Sequence, residues 1–288
     1  MKLQALLTAV RGIISDADIV NAADEARKLV LGTLQLDTAE WISDPNRDVK
    51  ETACQEVMDR AHARASGVPI HRILGWREFH GLHLALSPDT LEPRNDTEAL
   101  VELALSALDS IDDHDQAPTV LDLGTGTGAI ALALLAERED LRALGVDLSA
   151  GALETAMRNA GTNGLEERFS TVQSNWFSNV RGHFSLIVSN PPYIESRIIG
   201  ELDEEVRRHD PHLALDGGGD GLDAYRAIAK DAAGYLDPEG AVVVEIGIGQ
   251  QADVAAIFAA RGFDCLETRP DLNGVLRAML FKTTRKEG

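Results

Sequence analysis

The sequence predicts an α/β fold, with a Rossmann-like domain preceded by a small helical domain and a β-hairpin linker. Three observations carry that prediction. Over the first 72 residues, apolar side chains recur at spacings of three and four, the period of an amphipathic helix. Between residues 74 and 86 the pattern changes to alternation around His80-Gly81, which reads as a hairpin. Beyond residue 117, apolar runs of strand type end in glycine-rich, acidic or proline-rich turns and are separated by helical patterns, the signature of a sheet with crossover helices. The implied domains are 1–72, 73–92 and 93–288.

In chain order, Leu3, Leu6, Leu7, Val10 and Ile14 mark a first helix, and Ile19, Ala23, Ala26, Leu29 and Val30 a second that Asp16 or Asp18 is placed to cap. A short helix over 38–42 follows, then a longer one over 48–65 with Ala53, Val57 and Ala61 on one face and Gly67 as its stop. Pro88 and Pro93 bracket Leu91 ahead of a helix through Leu100, Val101 and Leu105, with Asn95, Asp96 or Thr97 as candidate caps. The acidic stretch 109–117 reads as a solvated loop. Thr119-Val120-Leu121-Asp122-Leu123 is a buried strand, Ala129 opens a helix to Glu137, and Leu144-Gly145-Val146-Asp147 is the next strand. A third strand ends at Thr171-Val172-Gln173 and a fourth at Phe184-Ser185-Leu186-Ile187-Val188. Helices over 220–236 and 250–260 and strands over 240–246 and 275–282 complete the sheet. The glycine-rich run 214–221 is a loop near the site, read equally as a cover or as a plain connection.

The strand ends carry the chemistry, because open α/β sheets bind ligands at the carboxyl ends of their strands. Gly124-Thr125-Gly126-Thr127-Gly128, between a strand and a helix, presents backbone N–H groups and a positive helix end. Asp147, 19 positions after Gly128, is placed to accept both hydroxyls of a ribose. Two prolines end the fourth strand in Ser189-Asn190-Pro191-Pro192-Tyr193, holding Asn190 in an extended turn. Its side-chain oxygen and the Pro191 carbonyl offer two acceptors for both hydrogens of a planar substrate –NH2, and Tyr193 supplies an aromatic face. A bare Asn-Pro-Pro also serves as an ordinary strand-ending turn. It is the combination of loop, spaced acid and polar turn on successive strands that makes the signal.

Charge and composition bound the function. With 27 Lys and Arg against 47 Asp and Glu, the net charge is −20, so a phosphate backbone is repelled and stable nucleic-acid binding is not expected. No run approaches the ~18 apolar residues of a membrane span, and the amino terminus lacks a signal peptide's continuous apolar core, so a cytoplasmic location and no membrane partner are expected. Cys54 and Cys265 form no Cys-x-x-Cys pair and read as two buried, reduced thiols. The eight histidines have no ligand spacing, so no metal is expected.

The chain resembles the bacterial N5-glutamine methyltransferases that modify peptide chain release factors. The resemblance runs through Gly67-Val68-Pro69, Arg72-Ile73-Leu74-Gly75, Phe79-His80-Gly81-Leu82, Pro93-Arg94-Asn95-Asp96-Thr97-Glu98, Asp122 to Gly128, Asn190-Pro191-Pro192-Tyr193, Asp210-Pro211, Ala214-Leu215 and Gly217-Gly218. The Asn-Pro-Pro-Tyr turn is shared with DNA adenine methyltransferases; the hairpin and the 93–98 segment discriminate better. Two positions depart from the pattern: Asn95 stands where the family has proline, a change expected to alter only loop stiffness, and Asn175 stands where an acid precedes Trp176. The resemblance implies a class I S-adenosyl-L-methionine-dependent methyltransferase domain. Gly124, Thr125, Gly126, Thr127, Gly128, Asp147, Trp176 and Asn190 would bind the cofactor S-adenosyl-L-methionine. Asn190, Pro191 and Tyr193 would be catalytic, with Asn190, Pro191, Pro192 and Tyr193 contacting substrate. The implied substrate is the glutamine of the Gly-Gly-Gln tripeptide of class I release factors, held by a monomer whose helical domain recognises the factor.

Two other enzyme readings start from the same residues. An adenine N6-methyltransferase would also grip a planar –NH2, but the acidic charge and the lack of a basic stripe oppose it. Gly124-x-Gly126-x-x-Ala129 with Asp147 also fits a dinucleotide fingerprint, yet hydride transfer has no role for Asn-Pro-Pro-Tyr. A nucleoside-binding fold without turnover would leave that turn idle as well.

Overall fold

The computed structural model describes residues 1–111 and 117–284. Most of the loop expected over 109–117 and the last four residues of the chain therefore lie outside the described residues. Two compact units are present, Met1–Trp76 with Asp203–His209, and Arg77–Leu202 with Asp210–Gly288. This division differs from the boundaries 1–72, 73–92 and 93–288 in two respects. From Arg77 onward the hairpin groups with the second unit, and residues 203–209 group with the first unit.

The first unit packs α1 (Leu3–Asp16), α2 (Ala22–Leu34), α3 (Thr38–Ser43), α4 (Glu51–Ala65) and α5 (Ile70–Leu74). The three-and-four spacing does its work here: Leu3, Leu6, Val10 and Ile14 of α1 meet Leu29 and Val30 of α2 and Val57 and Ala61 of α4 in one core. Asp16 is absorbed into the last turn of α1, so neither it nor Asp18 caps α2; the cap position falls to Asn21, at φ 60° and without a side-chain cap bond. Where the reading proposed no cap, α3 has a reciprocal capping box between Asp37 and Glu40. Arg64, 6% exposed, bridges Glu25 at 2.5 Å and Glu205 at 2.7 Å.

The second unit opens, from Arg77, in a hairpin of β1 (Trp76–Phe79) and β2 (Leu82–Ala85). Its turn has φ 49° at His80 and 75° at Gly81, the two positive values of a primed turn. A 3-10 turn over Asn95–Thr97 leads to α6 (Glu98–Asp109), then β3 (Thr119–Leu123), α7 (Ala129–Glu137), β4 (Arg142–Asp147), α8 (Ala150–Thr162), β5 (Phe169–Gln173) and β6 (Phe184–Ser189). After the short α9 (Glu204–His209) of the first unit come α10 (Asp223–Asp231), β7 (Leu236–Glu245), α11 (Gln251–Ala259), β8 (Phe263–Pro270) and β9 (Leu276–Thr283). The sheet order is β5-β4-β3-β6-β7-β9-β8, parallel from β5 to β7 and antiparallel where β9 joins β7 and β8.

Both faces of this sheet are buried, so its central strands are apolar throughout, with alternate residues going to opposite cores. Val120, Leu186, Val188 and Val243 face the core built with α6 and α7. Leu121, Leu123, Ile187, Val242 and Val244 face the one built with α10 and α11. Strand order reverses between β3 and β6, and register makes their ends level, since Leu123 pairs with both Val146 and Ser189. The glycine loop and the Asn190 turn therefore flank one crevice at the switch point.

Candidate active site

A cleft of about 470 Å³ opens at this crevice, a volume suited to a nucleoside-sized ligand. Of the residues expected to bind cofactor or substrate, Gly124, Thr125, Gly126, Thr127, Asp147, Trp176, Asn190 and Pro192 line it. Gly128, Pro191 and Tyr193 are not in its lining. Gly128 is the residue before α7, at φ 82°. Tyr193 packs against the second core because the loop after β7 lies close over it: a Cβ on Gly247 would stand 3.0 Å from Tyr193 Cδ2. Burial pushes its hydroxyl up to about 12. Trp176 is the aromatic that faces the cleft, at φ 49°.

The glycine loop turns through φ 75° at Gly124, 55° at Gly126 and 82° at Gly128, values that side chains with a Cβ rarely adopt. Asp147 holds the loop in shape: its Oδ2 accepts from Gly126 N at 3.0 Å and its Oδ1 from Ser149 N at 2.9 Å. Desolvation raises the Asp147 pKa. Beneath the loop Asp122 is fully buried, its Oδ2 accepting from Thr125 Oγ1 at 2.7 Å, while its Oδ1 has no hydrogen-bond partner among the described residues. That burial pushes its carboxyl up to about 7. Asp89, Asp216 and Asp223 add further carboxylates to the lining, an electrostatic match for a cationic ligand.

At the end of β6, Asn190 Nδ2 donates to Thr97 Oγ1 at 3.2 Å, and no hydrogen bond reaches its Oδ1 among the described residues. Thr97, a candidate cap, makes no cap bond; its hydroxyl instead donates to Glu245 Oε2 at 2.7 Å. Sequence reasoning missed Glu245. The available signal was a carboxylate ending the apolar run Ala241-Val242-Val243-Val244.

The turn after Asn190 is strapped down from outside. Ile194 N donates to Leu215 O at 3.0 Å and Gly217 N to Ile194 O at 2.8 Å. Gln250 Nε2 donates to Tyr193 O at 3.1 Å and Gly221 O at 3.2 Å, while its Oε1 accepts from Gly247 N at 3.0 Å. The glycine-rich run 214–221 is thus a packed strap rather than a plain connection. Arg94 lines the cleft and pairs with Asp210 at 2.8 Å. Asn95 is more than a loosened proline position, since its Oδ1 accepts from Arg77 Nη2 at 2.6 Å. Cys54 is buried as expected, but Cys265 is exposed because β8 is an edge strand. Among the described residues no cluster fit to hold a metal ion occurs, and no helix is long and apolar enough to cross a membrane.

Comparison with known proteins supplies the family. Residues 100–206 match the methyltransferase small domain and residues 5–75 the PrmC N-terminal domain. A release factor glutamine methyltransferase of Agrobacterium fabrum is 47% identical over 97% of each chain. The chain belongs to the release factor glutamine methyltransferase family. A second member, from Deinococcus radiodurans, is 36% identical over the full length of both chains. Likeness of fold extends further: a methyltransferase from Pyrococcus furiosus superposes with a TM-score of 0.52 at 16% identity, covering 79% of this chain and 98% of its own. The class I S-adenosyl-L-methionine-dependent fold, the helical amino-terminal domain and the family inferred from the sequence are borne out, as is S-adenosyl-L-methionine as the cofactor of this release factor glutamine methyltransferase family member. The residues present fit that cofactor: three positive-φ glycines open the loop, acids line the cleft, and Asp122 leaves a buried oxygen unpaired beneath it.

Proposed function

We propose that this S-adenosyl-L-methionine-dependent glutamine methyltransferase methylates N5 of the glutamine in the Gly-Gly-Gln tripeptide of class I release factors, with Asn190 as the residue that presents the reacting amide. The observation that carries the reading is the Asn190 amide at the cleft, its Nδ2 engaged by Thr97 and its oxygen without a hydrogen bond among the described residues. The glycine loop 124–128 would pass along the cofactor, Asp147 would accept from its ribose, and Trp176 and Asn175 would meet its adenine, the asparagine oxygen standing in for the acid of other members. Bound there, S-adenosyl-L-methionine supplies an electrophilic methyl on a sulfonium centre.

A glutamine amide nitrogen is a poor nucleophile because its lone pair is delocalised into the carbonyl. Asn190 Oδ1 and the Pro191 carbonyl would accept its two hydrogens, which orients the nitrogen and favours its pyramidalisation. Alignment and close approach are the main demands of in-line displacement, so no strong base is needed before attack, and the proton leaves afterwards. Pro192 closes the wall beside the amide. Tyr193 contributes by anchoring the turn in the core rather than by stacking on the substrate.

In this reading the helical domain grips the factor while its tripeptide loop enters the cleft. Purified release factor incubated with the protein and S-adenosyl-L-methionine should gain one methyl on the Gly-Gly-Gln peptide by mass spectrometry, while an adenine-containing duplex should gain none. Asn190→Ala should lose most of kcat, by roughly 100-fold or more, while cofactor affinity stays within a few-fold. Normal turnover by that variant would overturn the assignment.

A further inference from the structure

A carboxylate inside an apolar sheet is costly unless it is bonded or paired, and Glu245 is such a group. It ends β7 at 1% exposure after four apolar residues. Strand register places it beside the site, because Ser189 pairs with Val244 and the next residues along are Asn190 and Glu245. The Thr97 hydroxyl donates to Glu245 Oε2, and Asn190 Nδ2 donates to Thr97 Oγ1.

The polarity of this chain follows from proton counting. A hydroxyl has one hydrogen; an ionised carboxylate only accepts, so the Thr97 hydrogen goes to Glu245. Thr97 then shows Asn190 only lone pairs, and the Asn190 amide can satisfy them only with its –NH2. Its oxygen is thereby turned to the other side, the orientation that accepting a substrate N–H requires. The two orientations of an asparagine amide are nearly equal in shape, so packing alone cannot choose between them.

We propose that Glu245, acting through Thr97, is a positioning residue that fixes the orientation of the Asn190 amide and so sets the site in its accepting state. The inference rests on the reading of Asn190 as the acceptor for the glutamine amide. It also gives the buried carboxylate a reason to persist where valine would fill the strand.

A pH dependence follows. Once protonated, Glu245 donates to Thr97, whose hydrogen is then free to turn to Asn190 Oδ1; the flipped amide presents –NH2 to the substrate –NH2, donor against donor. Burial pushes the Glu245 carboxyl up to about 7, so activity is lost as pH drops through neutrality. The groups facing Glu245 are Arg277 on β9, Asp96 on the 3-10 turn, Tyr193 on the strapped turn and Tyr225 on α10. Arg277 favours the ionised form but is itself shared with Asp96 at 2.7 Å and Asp271 at 3.2 Å.

The test uses the full chain with intact release factor and S-adenosyl-L-methionine, reading kcat, KM and cofactor affinity from pH 6 to 8.5. Thr97→Val, isosteric but without the hydroxyl, should lower kcat roughly 10- to 100-fold with KM and cofactor affinity within about three-fold. Thr97→Ser should restore most of kcat. Glu245→Gln, which cannot ionise, should flatten the acid limb of the kcat profile. A Thr97→Val enzyme with normal kcat, or an acid limb unchanged in a folded Glu245→Gln enzyme, overturns the proposal. Should Glu245→Gln not fold, the Thr97 pair decides alone. Asn190→Ala separates the two levels: if it retains turnover both readings fall, and if it is inactive while Thr97→Val is normal only this one does.

Discussion

Asp147 holds the glycine loop and, in the proposed function, would also accept from the ribose. Its oxygens accept from Gly126 N and Ser149 N, so Asp147→Ala leaves two backbone donors unpaired as well as removing the proposed ribose acceptor. Each lost hydrogen bond to a charged group is worth about 1.5–3 kcal/mol, so the cofactor Kd measured by calorimetry should rise roughly 10- to 100-fold. Asp122 behaves differently. Burial pushes its carboxyl from the ordinary carboxylate range up to about 7, so the folded state holds the proton more tightly than the unfolded state. The stability this adds is full below the unfolded value and disappears as pH rises through about 7. Asp122→Asn keeps an acceptor for Thr125 and does not ionise, so its Tm should gain on that of the parent between pH 5 and pH 8. A difference in Tm independent of pH would refute the buried, titrating carboxyl.

The strap over the Asn190 turn turns on glycines at two close approaches. A Cβ on Gly217 would stand 2.8 Å from Pro192 O and from Tyr193 Cα, and one on Gly221, at φ 73°, would stand 2.4 Å from Tyr193 O. Backbone cannot yield as a flexible side chain can, so Gly221→Ala should displace the turn. A shift of about 1 Å at a positioning group costs on the order of 100-fold in rate, and kcat for methyl transfer should fall by that order. Elsewhere, α8 finishes the hairpin edge with side chains in place of a strand. Asn159 and Asn163 bond the N–H and C=O of Ala85 and His83, and Asn159 also donates to Thr127 O in the glycine loop. With Asn159 fully buried, Asn159→Ala strands several backbone groups at once, and a loss of about 2–3 kcal/mol in urea unfolding is expected.

Within the helical unit, Arg64 is shared by Glu25 and Glu205, which lie in segments far apart in the chain. Removing one partner of a buried pair costs about 3–5 kcal/mol; Glu205 is half in solvent, so Arg64→Ala belongs at or below the low end, read as a lower Tm. Deleting residues 1–72 is the functional counterpart. If the helical domain recognises the factor, KM for intact release factor should rise far more than KM for a short Gly-Gly-Gln peptide, and equal effects on both would refute that role.

Local pattern carried much of this protein. Helical spacing marked α1, α2 and α4, the His80-Gly81 turn marked the hairpin, and the glycine loop, Asp147 and Asn190 announced a crevice between strands because each needs a special backbone or a short spacing visible in the chain itself. The helix α8, whose buried face is built largely of small residues such as Ala152, Ala156 and Ala160, and the edge strand β8, exposed along most of its length, offer no run of large apolar side chains and stayed unread. The relation of Thr97 to Asn190 and Glu245 spans 93 and 148 residues. Only register across β6 and β7 brings such groups together, because hydrogen bonding depends on distances and directions in space that no spacing along one chain encodes. The sequence by itself therefore determined which polar and glycine residues the strand ends hold, and tertiary structure decided which atom of Asn190 bonds Thr97 and which aromatic, Trp176 rather than Tyr193, lines the cleft.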